Sequence, residues 1–389
     1  MRRGVTVAAA VLGLAVAYAV LSPAPVYTHK PITTNILFKN EIAQIFQRKC
    51  FHCHSDNNVA MSLTTYTDAR PWARAIREEV LDRQMPPWQA VPGYGHFAND
   101  LSLNTREKEI IISWADGGAP SGVLKVEESI PPVYVPAAPS WDHGEPDLVL
   151  PIGTGDTVTS GSPLETKRFV VATNLAGSKR VRAISLKQGD RRVVRHAAFY
   201  DGATGKWLGG WTPWQTLSSL VNETAIVLPA KAKIAVEIGY TGTHEDVTDT
   251  SELGLYFAEG PGPVADAMSI AAPETSLPPG STAQRVRVET KLAADTTVVA
   301  FWPNPGDGAT SIEISATTPD GMMTPLLWVA DYRPEWRSPF YLAAPVALPR
   351  GTRVVITTYF DNSGEQALEA RPQVWIATTM SPRGAARRK

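Results

Sequence analysis

Cys50-Phe51-His52-Cys53-His54 holds the only two cysteines of the 389-residue chain, with a histidine directly after the second. C-x-x-C-H is the attachment signature of a c-type haem. The spacing follows from the chemistry. Two thiols one short turn apart add to the two vinyl groups of the porphyrin, and the adjoining imidazole then meets one face of the iron as an axial ligand. Zinc would want four ligands, with a second Cys or His pair at matching spacing, and a redox pair of cysteines would sit in a βαβ pattern; neither companion is present. The stretch therefore reads as the site of one covalent haem c held by Cys50, Cys53 and His54.

Outward from the motif the pattern is helical. Over 40–49, Ile42, Ile45 and Phe46 fall at i, i+3 and i+4 and mark a buried face leading into the motif. A second helix is expected from about 68 to 83, with Pro71 near its start and Trp72, Ile76 and Val80 on one stripe, stopping at Met85-Pro86-Pro87. A third begins near Asn104, whose spacing to Glu107 is that of a capping box. Ile110, Ile111 and Trp114 give it a buried face, and Gly117-Gly118-Ala119-Pro120 ends it.

Upstream, Met1-Arg2-Arg3 precedes an uncharged, largely apolar run over 4–21 with small residues at Ala17 and Ala19. Residues 1–22 read as a cleaved export signal or as an N-terminal membrane anchor, since 18 residues of helix span about 27 Å against a bilayer core of about 30 Å. Both readings export the chain to the periplasm, where haem c is attached. Residues 23–37 form a spacer and 38–121 the helical domain. With both cysteines committed to haem, none remains for structural disulfides.

Residues 122–142 are a Pro-rich linker. Beyond it the texture changes to short alternating runs, at 168–172, 180–186, 225–228, 234–238 and 253–257, separated by Gly, Asn, Asp and Pro. A Pro-, Ala- and Gly-rich stretch over 260–282 reads as an interdomain linker, and a second set of runs follows at 284–290, 297–301, 311–316, 326–329 and 353–360. The expected fold is thus multidomain: an all-α domain followed by two all-β, jelly-roll-like sandwiches, 143–259 and 283–378, and a basic tail, 379–389. A net charge of −1 argues against nucleic acid as a partner, which would call for a basic face.

The order helix, haem motif, helix, Met-Pro, closing helix resembles that of the class I cytochromes c over 38–121. The resemblance implies Met85 as sixth ligand, a soft thioether that stabilises ferrous iron. Met61, seven residues past His54, and His96, in a Gly-rich loop, stand as alternatives, as does an iron with no sixth protein ligand; their plainer readings are core packing for Met61 and a partly solvated loop residue for His96.

The β half is similar to the bacterial relatives of the copper type II, ascorbate-dependent monooxygenases, of which peptidylglycine hydroxylase is a member. The likeness rests on Gly144-Glu145-Pro146-Asp147-Leu148-Val149-Leu150, Arg192-Val193-Val194-Arg195-His196-Ala197 and Gly254-Leu255-Tyr256-Phe257. It continues in Leu348-Pro349-Arg350-Gly351-Thr352-Arg353 and Phe360-Asp361-Asn362-Ser363. Ala69-Arg70-Pro71-Trp72-Ala73 and Met85-Pro86-Pro87-Trp88 are similar to the haem c domains that precede the sandwiches in some members. Membership implies two copper sites with five histidines and one methionine.

This chain departs from that pattern, since after residue 121 it has only His143, His196 and His244. The family's His-His pair reads Arg195-His196 here, its His-Tyr element Gly239-Tyr240, and its Pro-His-x-His element Pro303-Asn304-Pro305-Gly306. The late methionine falls near Thr378, with Met380 out of register. His196 is the sole remnant, and Arg195 would place a fixed charge beside any cation it bound. Copper and catalytic residues are therefore not expected. His196 reads as a hydrogen-bonded core residue, and Trp207, Trp211 and Trp214 as a packed corner. The resemblance then implies an exported monohaem cytochrome passing single electrons. Its sandwiches would serve as a docking or assembly module toward redox partner proteins, within a membrane-associated complex. The alternative is a copper-dependent monooxygenase with non-standard ligands, fed electrons by the haem.

Overall fold

The computed structural model describes residues 32–122, 141, 144–153, 155–215, 217–219 and 224–379. The 4–21 segment, His143, Met380 and the basic tail past 379 lie outside these, as does nearly all of the 122–142 linker. Among the described residues no helix is long and apolar enough to cross a membrane.

A π-type turn, Phe38–Ile42, runs into the helix Ala43–Lys49, so the first buried face starts slightly earlier than the spacing predicts. The second helical stretch also starts early. Thr65 caps Tyr66–Ala69 by accepting the Asp68 amide at 3.2 Å. Arg70–Trp72 then tighten into a 3-10 turn around Pro71, which has no N–H to give, before Ala73–Leu81 resumes the helix. The third helix, Thr105–Asp116, carries the full capping box: Asn104 accepts the Glu107 amide at 2.9 Å, and Glu107 accepts the Asn104 amide at 3.1 Å. Phe38, Phe46 and Trp114 lock these pieces together with ring centroids 5.9 to 6.3 Å apart. Residues before 38 belong here too, since Thr33 donates to the Gly117 carbonyl.

Two antiparallel sandwiches follow. In the first, a sheet ordered Leu148–Pro151, Glu252–Phe257, Lys179–Lys187, Leu217–Ser219 faces one ordered Glu165–Ala172, Lys233–Tyr240, Val194–Asp201, Trp207–Trp211. In the second, Ala265–Ala271, Gln373–Thr379, Thr296–Asn304, Phe340–Leu348 faces Ser281–Lys291, Arg353–Asn362, Ala309–Thr317, Met323–Val329. The 260–282 stretch is thus not a bare linker. Its Ala265–Ala271 pairs with Gln373–Thr379 along seven residues, so the second sandwich begins near 265 rather than 283. The sequence hides this strand because only Ala267 and Ile270 of its seven residues are buried.

The sandwiches meet sheet to sheet, and strand alternation decides what lies in the seam. Ala197 and Phe199 point into the first core, whereas Ala198 and Tyr200 point into the seam. Val236 and Ile238 likewise face that core and Ala235 the seam, so Glu237 and Gly239 share the seam face. From the other side come Ala300 and Trp302. Trp302 stacks on Trp207 with centroids 6.1 Å apart and donates its indole N–H to the Tyr200 hydroxyl at 3.1 Å. The tryptophan-rich stretch is therefore packing, as expected: Trp207 and Trp211 are buried, and Trp214 lies against Trp336.

The helical domain and the second sandwich are not joined only by a tether. Trp88, Ala90 and Leu101 belong to the core of the second sandwich, not to the helical core. Val91 donates to the Trp328 carbonyl, Ala98 to the Tyr341 carbonyl, and Ala343 to the His96 carbonyl, each at 2.8 Å.

Candidate haem site and the seam histidine

The C-x-x-C-H motif continues the turn of Ala43–Lys49. The Cys50 and Phe51 amides both donate to the Phe46 carbonyl, and the Cys53 and His54 amides both donate to the Cys50 carbonyl. Side chains of the motif thereby face an apolar cavity of about 370 Å³. Its walls include Phe46, Leu63, Ile76, Val80, Leu103 and Ile111, and its lining also holds Cys50, Cys53, His54, Met61 and Met85. Trp336, from the second sandwich, closes part of the wall.

His54 is buried, and its Nδ1 lies 3.0 Å from the Met61 carbonyl oxygen. A ring nitrogen facing a carbonyl carries the proton, which leaves Nε2 as the lone-pair nitrogen and fixes the ring plane. Burial lowers the tendency of this imidazole to protonate, and the Met61 carbonyl partly offsets that. Burial also pushes both thiols up to about 12; for Cys53 the charges of Arg195 and Arg191 act in the opposite sense. Reactive redox cysteines need the reverse, a depressed thiol pKa. Among the described residues no three His, Cys, Asp or Glu side chains are placed to hold a metal ion together.

The candidates for a sixth ligand separate in space. Met85 follows the end of Ala73–Leu81, where Arg83 takes φ 58° and the Gln84 and Met85 amides both bond to the Glu79 carbonyl. Met61 is half exposed and tied through its own carbonyl to the back of the His54 ring. His96 is exposed and is not among the cavity's lining residues. His52 is exposed, with Nε2 3.3 Å from the Arg48 carbonyl.

The seam holds the second buried histidine. His196 has Nδ1 3.4 Å from the Glu335 carbonyl and Nε2 3.4 Å from the Arg337 guanidinium. Burial first, then the Arg337 charge, pushes its pKa down to about 3. The ring lies against Gly239, where an added Cβ would collide with it. Arg337 donates to Asn304 at 2.7 Å, sits 3.9 Å from Glu237 and lies over Trp302 at 5.1 Å. Positions 196, 239 and 304 therefore do converge, around a guanidinium. One expectation changes: the charge on His196 comes chiefly from Arg337, while Arg195 donates to the Arg192 carbonyl and bears on Cys53. Thr378 lies elsewhere, five residues along its strand from Gln373, the partner of Asn304. His244 is an exposed loop residue.

The sequence did not signal Trp336 as a wall of the cavity, or Gln89 and Arg333 as a pair beside Met85, because their contacts join residues 244 to 249 positions apart in the chain.

No protein family and no curated protein matches the chain. Solved structures with related architecture include PNGF-II, at TM-score 0.26 and 10% identity, covering 61% of this chain and 66% of that one. The major capsid protein P2 of bacteriophage PM2 gives 0.25 and 9%, over 61% and 98%. The mavirus major capsid protein gives 0.20 and 6%, over 64% and 89%. The chain spans just under two thirds of PNGF-II. At these scores the likeness carries nothing about function. The class that the fold itself defines is a small helical region followed by a pair of jelly-roll-like β-sandwiches.

Proposed function

We propose that the chain is an exported single-haem c-type cytochrome that passes single electrons, with the two sandwiches serving as its docking and assembly part in a redox complex. On this reading the helical region is a class I cytochrome c domain and the β half a metal-free relative of the copper monooxygenases. The observation that carries it is the apolar cavity with two thiols, the imidazole of His54 with a lone-pair Nε2, and the thioethers of Met61 and Met85 on its lining. That donor set fits haem c. Cys50 and Cys53 would anchor the ring, and His54 Nε2 and Met85 Sδ would be the protein's ligands to its iron. When bound, the haem supplies a one-electron iron couple. The chain's own work is to keep water from the ring with aliphatic and aromatic walls and to hold the His54 plane through the Met61 carbonyl. Met61 is unsuited to the sixth position, because its carbonyl fastens it behind the proximal ring. The guanidinium on His196 supports a non-catalytic role for the sandwiches.

The test is expression with a cytochrome c maturation system, followed by peroxidase staining of the denatured polypeptide and a reduced haem spectrum. One covalent haem that is lost in Cys50→Ala/Cys53→Ala, and a thioether signature that is lost in Met85→Leu, are expected. A polypeptide that matures without bound haem sinks the reading.

A further inference from the structure

Met85 stands on a strap whose two sides are both fastened to one segment of the second sandwich, residues 331–336. On the near side, Gln84 donates to the Asp331 carboxylate at 3.2 Å. Arg333 donates to the Gln84 carbonyl at 3.1 Å and to its side-chain oxygen at 2.9 Å. On the far side, Gln89 is buried and its amide is used at both ends. Its N–H groups donate to the Arg333 carbonyl at 3.1 Å and the Trp336 carbonyl at 3.4 Å, and its oxygen accepts the Arg333 amide at 3.2 Å. Trp88, one residue earlier, packs edge-on against Phe97 and Phe340. Trp336 at the end of the clamp is itself a wall of the cavity.

A thioether binds iron weakly and is held there largely by the path of its chain. In this protein that path is held on one side by the Glu79 carbonyl, which accepts the Gln84 and Met85 amides, and on the other by contacts of Gln84 and Gln89 with a different domain. We propose that the second sandwich positions the sixth haem ligand, with Gln89 and Arg333 as positioning residues that act through Met85. The proposal rests on the haem reading above. It assigns the sandwich a function beyond docking: the ligation, and with it the potential, of the haem depends on how the β domain sits against the helical one. A buried amide that bonds both ends to backbone suits such a role, because its nitrogen donates and its oxygen accepts in one fixed plane without carrying a charge.

The experiment uses the full-length, haem-loaded protein and the variants Gln89→Leu, Arg333→Ala and Arg333→Lys. Three properties are read: the weak far-red absorption of a thioether on ferric haem, carbon monoxide binding by the ferrous form, and the midpoint potential. Far-UV circular dichroism reports whether the sandwiches stay folded. The wild type is expected to keep the far-red band and exclude carbon monoxide. Gln89→Leu and Arg333→Ala should lose the band, admit carbon monoxide and fall in potential, since a thioether favours ferrous iron. Arg333→Lys, which still reaches one acceptor, should retain part of each property. Folded, haem-loaded Gln89→Leu and Arg333→Ala with wild-type band, potential and carbon monoxide exclusion would overturn the clamp. Should Gln89→Leu misfold, Arg333→Ala decides alone, because Arg333 is less buried than Gln89 and its loss leaves the Gln89 side chain in place. A wild-type chain without covalent haem overturns both readings and is recognised by the absent stain.

Discussion

His54 and His196 are both buried, and both bond a backbone carbonyl through Nδ1, yet their second nitrogens meet opposite conditions. His54 lines a cavity of about 370 Å³, while Nε2 of His196 is held against the Arg337 guanidinium. A guanidinium is a permanent cation that only donates, so it takes up the lone pair and repels any second positive charge. Burial alone therefore does not distinguish a ligand histidine from a structural one. What faces the second nitrogen does.

The largest expected effect tests the cavity side of this contrast. Without haem the apolar walls of a space of about 370 Å³ lose their packing partner, and an apolar space left unfilled costs stability. Cys50→Ala/Cys53→Ala should therefore melt the helical domain while both sandwiches persist, seen as loss of one calorimetric transition. A haem-free variant with the helical transition intact would show that the cavity collapses without cost.

Next in size is the pH response of the seam. The folded protein holds His196 neutral down to about pH 3, whereas the unfolded chain takes up a proton near 6.5. The unfolded state thus binds more protons between pH 6.5 and 3, so this group's contribution is complete above 6.5 and is lost as pH falls through that window. The loss is on the order of 5 kcal/mol. His196→Gln should flatten the fall in denaturant midpoint across this window; an unchanged slope would mean that the seam is hydrated.

Arg337→Met comes third. It strips the partner from a seam in which Glu237 is mostly buried, at a cost of about 3 kcal/mol, near the low end for such pairs. Glu237 retains Arg168 at 2.6 Å, which limits the damage. Urea unfolding of the sandwich pair measures it. The His196 pKa should rise in the same variant, and copper should still fail to bind, because Gly239 and Asn304 supply no second imidazole. Tight copper binding by Arg337→Met would break the comparison.

The two sites were unequally legible in the sequence, for a physical reason. The haem-attachment motif is local information: two thiols, an imidazole and the helices around them lie within one short run, and the Asn104 capping box formed where the spacing placed it. The alternating strands were also readable, since period-2 burial is local information. The closing of each site was not. Arg337 reaches His196 across 141 positions, and Trp88, Ala90 and Leu101 leave the helical domain for a core whose other members begin at Ile270. Nothing local in the run from Trp88 to Leu101 says which domain receives it.

The smallest expected effect is the sharpest for His54. Met61 and Met85 both line the cavity, so volume does not separate them. Backbone attachment does. The Met61 carbonyl, 3.0 Å from Nδ1, sits behind the ring, and the side chain sharing that residue starts on the same side of the imidazole, away from the face opposite Nε2. Met61→Leu keeps the carbonyl and nearly the same volume, a swap that typically costs less than about 1.5 kcal/mol. It should leave the far-red thioether band, the midpoint potential and carbon monoxide exclusion at wild-type values, while Met85→Leu changes all three. If Met61→Leu altered the band and Met85→Leu did not, the chain would have to pass around the ring edge between residues 54 and 61, and the contrast between the two histidines would have to be rebuilt on a different ligand geometry.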